Sequence, residues 1–334
     1  QSLTIDVTST NTATLASGSI TTTGDLTVTS GILDLSTYTA DRESSGGTLT
    51  ISSGAKLDIG GTGTLPSNYT THTIGNTSTI EYSGTNQSVG TLSSASYGNL
   101  TISGSGAKTL AGAIQIAGNL TVSAGSIVDD GYQIGGNGSG TLSMSSGTTM
   151  VLGSAGTATL FPTSFTTGNI SLDAASTVVY TSDQAQNVSG TPVYGNLTIS
   201  GTSAKTLVSS GSVASDLTIL SGTFATSTYT IDRSSSGGTL TVSAGATLDI
   251  GGTNSFPSNY ETVTLYSTST QNYSGTTQTI ASYTYGTLQI SGSDTKTLGG
   301  NINTQSDLTV SAGTLALSTY TANRLTSGGT LTVS

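Results

Sequence analysis

Apolar and small polar residues alternate along nearly the whole chain in short bursts, as in Leu49-Thr50-Ile51 and, a few residues on, Leu57-Asp58-Ile59. A period of two puts aliphatics on one side of a strand and hydroxyls or acids on the other, the pattern of a half-buried β-strand. Ser-Gly, Gly-Gly and Ser-Ala-Gly groups fall between the bursts and supply corners at positive φ. No apolar i, i+3, i+4 pattern runs far enough to predict a helix. The pattern predicts an all-β chain.

The bursts themselves repeat. Leu26-Thr27-Val28, Leu120-Thr121-Val122, Leu217-Thr218-Ile219 and Leu308-Thr309-Val310 stand 94, 97 and 91 residues apart. Pro66, Pro162 and Pro257 keep the same step, as do Tyr82, Tyr180 and Tyr273, then Tyr97, Tyr194 and Tyr285, and the Lys-Thr-Leu triplets at Lys108, Lys205 and Lys296. The first long repeat divides at Gly24, Gly47, near Thr71 and at Gly98 into pieces of roughly 20 to 27 residues, the size of one turn of a parallel β-helix. A strand with two inward aliphatics buries too little area to offset its chain entropy, so it needs a like neighbour above and below.

The expected fold is therefore all-β, a right-handed parallel β-helix with about four turns per long repeat and two or three strands per turn, about 14 turns in all. Residues 1–334 form one continuous solenoid in this reading. Residues 1–23 are the last turn of a preceding repeat, 24–117, 118–214 and 215–305 are repeats 1 to 3, and 306–334 begin a fourth. Neither end carries a recognisable cap, so neighbouring copies or adjoining repeats stacked end to end are the expected partners. A string of three immunoglobulin-like sandwiches has the right period. It fits less well, because the Gly-(Asp/Asn/Thr)-Leu-Thr-Ile/Val wording recurs inside each repeat and Trp is absent.

Composition narrows the function classes. Seven Lys and Arg against 17 Asp and Glu, net charge −10, leave no basic stripe for nucleic acid or an anionic membrane. No apolar run is long enough for a membrane-spanning helix, and with no Cys there is neither a disulfide framework nor a thiolate metal site. The run from Tyr97-Gly98-Asn99-Leu100-Thr101-Ile102 through Ala107-Lys108-Thr109-Leu110, then Gly118-Asn119-Leu120-Thr121-Val122, resembles the repeats of large bacterial surface and secreted proteins of the filamentous-haemagglutinin or autotransporter-passenger kind. That resemblance implies an extracellular β-helix used for adhesion, matrix or filament building, with no catalytic residue to carry over.

Candidate chemistry is sparse. A nucleophilic triad needs a histidine, and the single one, His72, aligns with Gly168 and Val263 and is expected on the surface. Lyases and glycosidases on β-helices gather carboxylates on neighbouring turns, and Asp129-Asp130 is the one adjacent acidic pair, set where other repeats read Ser-Thr-Tyr. Asp58 and Asp249 read as outward strand positions. The Gly135–Gly140 run has the glycines of a calcium loop without its acids. Asp25, Asn99, Asn119, Asn196, Asp216 and Asp307 precede Leu-Thr strands and are expected to bond local backbone. Arg42, Arg233 and Arg324 follow Asp41, Asp232 and Asn323 and are expected in surface pairs. Tyr97, Tyr194 and Tyr285 either plug corners or stand along a polar face to meet sugars or partners. Thr27-Val28-Thr29 does not recur at each turn, which disfavours ice binding, and about ten Asn-x-Ser/Thr sequons permit glycosylation.

These observations favour a structural extracellular protein at the cell surface or secreted, a segment of an adhesin stalk or filament, with no catalytic, cofactor or metal site and no cofactor. Tyr97, Tyr194, Tyr285, Asp129 and Asp130 are the candidate surface contacts, with cell-surface glycans or other cells as further partners. A carbohydrate-binding surface module is the alternative, and a polysaccharide-degrading β-helix fragment stands behind it.

Overall fold

The computed structural model describes residues 1–325 and 327–334. They fall into two compact units, residues 1–152 with 161–176 and residues 153–160 with 177–334. Both units are parallel β-solenoids, with about 16 turns in all and one short 3-10 element at Thr167–Asn169. Within each sheet the strands pair in parallel with those one turn before or after, so backbone donors and acceptors are satisfied by neighbours in the stack.

In the first unit the strands Leu3–Asp6, Leu26–Ser30, Gly46–Ile51 and Tyr69–Ile74 form one face. A second face stacks eight strands from Thr12–Thr14 to Ile170–Leu172. Its inward column runs Leu33, Leu57, Ile80, Leu100, Leu120 and Leu142, each buried, while Asp34, Asp58 and Glu81 point outward beside it. Burying one such aliphatic is worth about 2 kcal/mol, so a turn holds only as part of the column. The third face carries Ile20–Thr22 and Ala40–Arg42, then Gln87–Val89, Ala107–Leu110 and Ser126–Val128.

The angular step of the long repeat differs from a whole number of turns. Leu26 and its counterpart Leu120 lie on different faces: Leu120 stands four turns above Leu33, and Leu33 is on the strand after Leu26. The second unit shows the same advance. Leu217 stacks with Leu197 and Leu240, whereas Leu308 stands four turns above Phe224, on the strand after Leu217. Each of these two long repeats thus winds four and one third turns. Its turns are shorter than a quarter of the repeat, which is why there are more of them than the expected 14.

Short side chains at the corners tie successive turns together. Asp25 Oδ1 accepts the Thr48 N–H at 2.8 Å, Asn99 that of Asn119 at 2.9 Å, Asn119 that of Thr141 at 2.9 Å, Asp216 that of Thr239 at 2.8 Å and Asp307 that of Thr330 at 2.7 Å. Asn196 accepts from Asp216 at 3.2 Å. The expected local bonding is corrected here. These residues reach a backbone group 20 to 23 positions away, because in a stack the nearest free N–H belongs to the turn above.

The arginines are corrected likewise. Arg42 donates from Nε to the Gly24 carbonyl at 3.2 Å, from Nη2 to Thr23 at 2.8 Å, and from Nη1 to Ser44. Arg233 repeats this on Ser215, at 3.1 Å, and Ser235. Asp41 and Asp232 instead accept the N–H groups of Ser67 and Ser258, each at 2.7 Å. The loop folds over the guanidinium because Gly46 and Gly47 take φ of 140° and 58°, and a Cβ at Gly47 would lie 2.8 Å from Arg42 Nε. In repeat 2, where no Arg stands, Asn137 donates to the Ala117 carbonyl and closes the glycine run by accepting from Ser139 and Gly140.

Asn99 both accepts from Asn119 and donates to the Ser78 carbonyl at 3.1 Å. Asn99→Ala should therefore cost about 1–2 kcal/mol in urea unfolding, and Asn99→Asp, which keeps the acceptor alone, about half of that.

Candidate functional site

The recurring polar residues converge on one arch per long repeat. In the first it spans residues 84–90, with the strand Gln87–Val89 inside it. Tyr82 and Tyr97 are fully buried with hydroxyls 3.4 Å apart. The Gly90 N–H donates to Tyr82 Oη at 3.0 Å and Tyr97 Oη donates to the Gly90 carbonyl, so the Tyr82 hydrogen is the one directed at Tyr97. Both backbone groups of the half-buried Gly90 are satisfied by a phenol pair. Tyr180 and Tyr194, 2.9 Å apart, do the same for Ser189, and Tyr273 and Tyr285, 3.1 Å apart, for Ala281.

The other foot of the arch is held by Gln and Lys. Gln87 Oε1 accepts the Gly84 N–H at 2.8 Å while its Nε2 donates to the carbonyls of Ile59 and Gly63. One turn on, Lys108 Nζ donates to the carbonyl of that same Gly84 at 2.8 Å and to Ser105 at 2.7 Å. Gln186 with Lys205 serves Ser182, and Gln278 with Lys296 serves Gly275. All three lysines are buried, and desolvation lowers their pKa values. Their place in a dry interior was missed in the sequence, although the signal was there. In Ala107-Lys108-Thr109-Leu110, Lys108 shares the parity of inward Leu110.

The candidate surface contacts are therefore corrected. Tyr97, Tyr194 and Tyr285 are fully buried parts of the arch and present no ring to a partner. Asp129 is buried and Asp130 exposed, in a tight turn where Asp129 Oδ1 accepts the Gly131 N–H at 2.9 Å and Asp130 takes a φ of 51°. Ser36, Ser227 and Ser318 hold the same conformation in the corresponding turns. Three exposed tyrosines, Tyr132, Tyr229 and Tyr320, and the half-exposed Tyr38 follow these turns, while Tyr266, the most exposed at 50 %, stands apart from them. His72 is half-buried rather than on the open surface, its Nδ1 accepting the Ser93 N–H at 2.9 Å.

Among the described residues no group of three or more His, Cys, Asp or Glu is placed to hold a metal ion, and no helix is long and apolar enough to cross a membrane. The ion pairs found centre on Lys56, which reaches Asp58 at 3.3 Å and Glu81 across one turn. Burial opposes its charge, but Glu81 and Asp58 outweigh burial and raise its pKa. No family model, curated protein or solved structure matches the chain. The resemblance to surface-protein repeats rests on the wording of the repeat alone.

The phenol pairs set the response to alkali. Burial pushes Tyr180 and Tyr273 up to about 12 and holds Tyr82, Tyr97, Tyr194 and Tyr285 above the ordinary value. A phenol raised in the folded state contributes stability below pH 10 that is lost as pH rises through the folded value. Each kept neutral while its unfolded counterpart ionises costs about 1.4 kcal/mol per pH unit. The lysines, lowered on folding, act in the opposite direction up to their unfolded value near 10.4. Urea midpoints should thus hold or rise slightly towards pH 10 and fall steeply between 10 and 12.

A second test uses a natural defect. Tyr69 Oη bonds Thr22 at 2.8 Å, but the position of Thr22 is taken by Val213 beside Tyr260, whose buried hydroxyl has no partner. Val213→Thr should stabilise by about 1 kcal/mol and Tyr260→Phe should be neutral or better, whereas Tyr97→Phe should cost about 1–3 kcal/mol.

Proposed function

We propose that this chain is a structural element of an extracellular stalk or filament, at the cell surface or secreted, in which stacked turns carry load and adhesive ends lie elsewhere. The observation that carries the reading is where the repetition falls. The residues kept from repeat to repeat, namely the phenol pairs, the Gln and Lys feet and the corner Asp and Asn, hold backbone of one turn to the next. A sequence maintained for stacking fits a protein whose work is mechanical.

Partners follow from the same geometry. Each strand's backbone ladder is completed by the strand one turn away. In the proposed assembly adjoining repeats or neighbouring copies continue that ladder end to end.

Carbohydrate binding is the second reading, favoured by the exposed Tyr132, Tyr229 and Tyr320. Against it, Tyr229 and Tyr320 of the second unit stand four and one third turns apart, about 21 Å at the usual strand spacing, on different faces. One straight glycan chain does not meet both.

Electron microscopy and fibre diffraction of the protein from its source test the proposal. Fibres or anchored rods with an axial repeat near 4.8 Å are expected. Compact particles whose saturable polysaccharide binding is lost in Tyr132→Ala or Tyr229→Ala would replace it with the carbohydrate reading.

A further inference from the structure

We propose that His72 is an acid-sensitive latch that fastens the ledge 91–96 over the first unit and releases it when the imidazole is protonated. His72 continues the register of Leu3, Leu26 and Leu49 on the last strand of its sheet. The next pass of the chain is the ledge between Gly90 and Tyr97, fixed at its two ends by the phenol pair. Its middle is tied to the turn below by the Ser93 N–H donated to His72 Nδ1 at 2.9 Å, which places the imidazole proton on Nε2.

The ledge is peculiar to this repeat. Six residues separate Gly90 from Tyr97, against four between Ser189 and Tyr194 and three between Ala281 and Tyr285. Ser94 takes a φ of 53°, and the ledge overhangs a cavity of about 400 Å³ bounded by Leu92, Ala95, Ile114 and Gln115. The one histidine of the chain stands under the one long ledge, where the second unit has Val263 in the same register over Leu240.

Protonation turns the acceptor into a donor facing another donor. Nothing nearby compensates the new charge. The strand Gly46–Ile51, the ledge residues 91–96 and the strand Ile114–Gln115 bring no charged or titratable side chain. Of the two phenols on flanking positions, Tyr69 is engaged with Thr22 and Tyr97 with Gly90. Burial accordingly lowers the His72 pKa from its ordinary 6.5. A lowered folded value means the latch contributes its full stability above about pH 6.5 and loses it as pH falls from there to the folded value.

Hydrogen exchange of the whole chain, followed at the Ser93 amide and corrected for intrinsic rates, tests this. Protection should be constant from pH 8 to 6.5, fall about tenfold per pH unit as pH drops from 6.5 towards the folded value, and level off below it. His72→Asn, which keeps an uncharged acceptor, should stay protected at every pH. His72→Val, the residue tolerated at the corresponding place, should leave Ser93 unprotected throughout. Flat protection of the wild-type amide down to pH 4.5, or the same acid loss in His72→Asn, would overturn the latch.

Discussion

Every feature of this molecule follows from the demand that the backbone of one turn be completed by the turns beside it. A solenoid strand of two to six residues has no partner within its own turn, so its N–H and C=O groups, and the apolar column beneath them, are satisfied only in register with a neighbour. Register is therefore what the side chains protect. Asp and Asn at the corners do so by bonding a backbone group one turn away, where a purely local cap would leave the stack free to slip.

That demand is hardest to meet where the chain departs from regular strands. The arch has two residues, the buried Gly84 and the half-buried Gly90, whose N–H and C=O groups are met by side chains. Gly84 would otherwise leave a buried donor and acceptor bare, at about 1–3 kcal/mol apiece. Four side chains from four segments answer them: Gln87 and Lys108 at one foot, Tyr82 and Tyr97 at the other. A buried ammonium is an expensive donor without a carboxylate, but Lys108 bonds carbonyls of two stacked corners at once, a bridging task no neutral side chain of its length performs. Recurrence of the full set at Ser182 and Ser189, and at Gly275 and Ala281, shows that the arch and its polar feet are one unit.

The strands were legible because alternation at period two leaves a direct trace, and Leu49-Thr50-Ile51 folds as it reads. The angular step was not. Aligning Leu26 with Leu120 measures distance along the chain, and the likeness of wording conceals that the second stands on the face that holds Leu33. Tyrosine misled for another reason. Its ring is at home in a core and its hydroxyl at a surface, so Tyr97 in an otherwise hydroxyl-rich stretch gave no sign of side. Parity would have decided it for Tyr82, which follows inward Ile80 by two residues, and through the phenol pair for Tyr97.

The fractional turn carries a consequence for what the surface can do. Had each repeat closed on a whole number of turns, one exposed residue type would line a single face and offer a partner a continuous track. With the extra third, Tyr38 follows a strand of the second face and Tyr132 one of the third, so recurrence in sequence becomes rotation in space. Interior contacts are indifferent to that rotation, because each arch meets the turns above and below it in the same way wherever it points. Outward contacts are not. A repeat of this pitch preserves stacking perfectly while scattering any recurring surface feature, and selection acting on such a sequence would keep its interior in step and leave its faces free to differ, as His72 and its ledge already do.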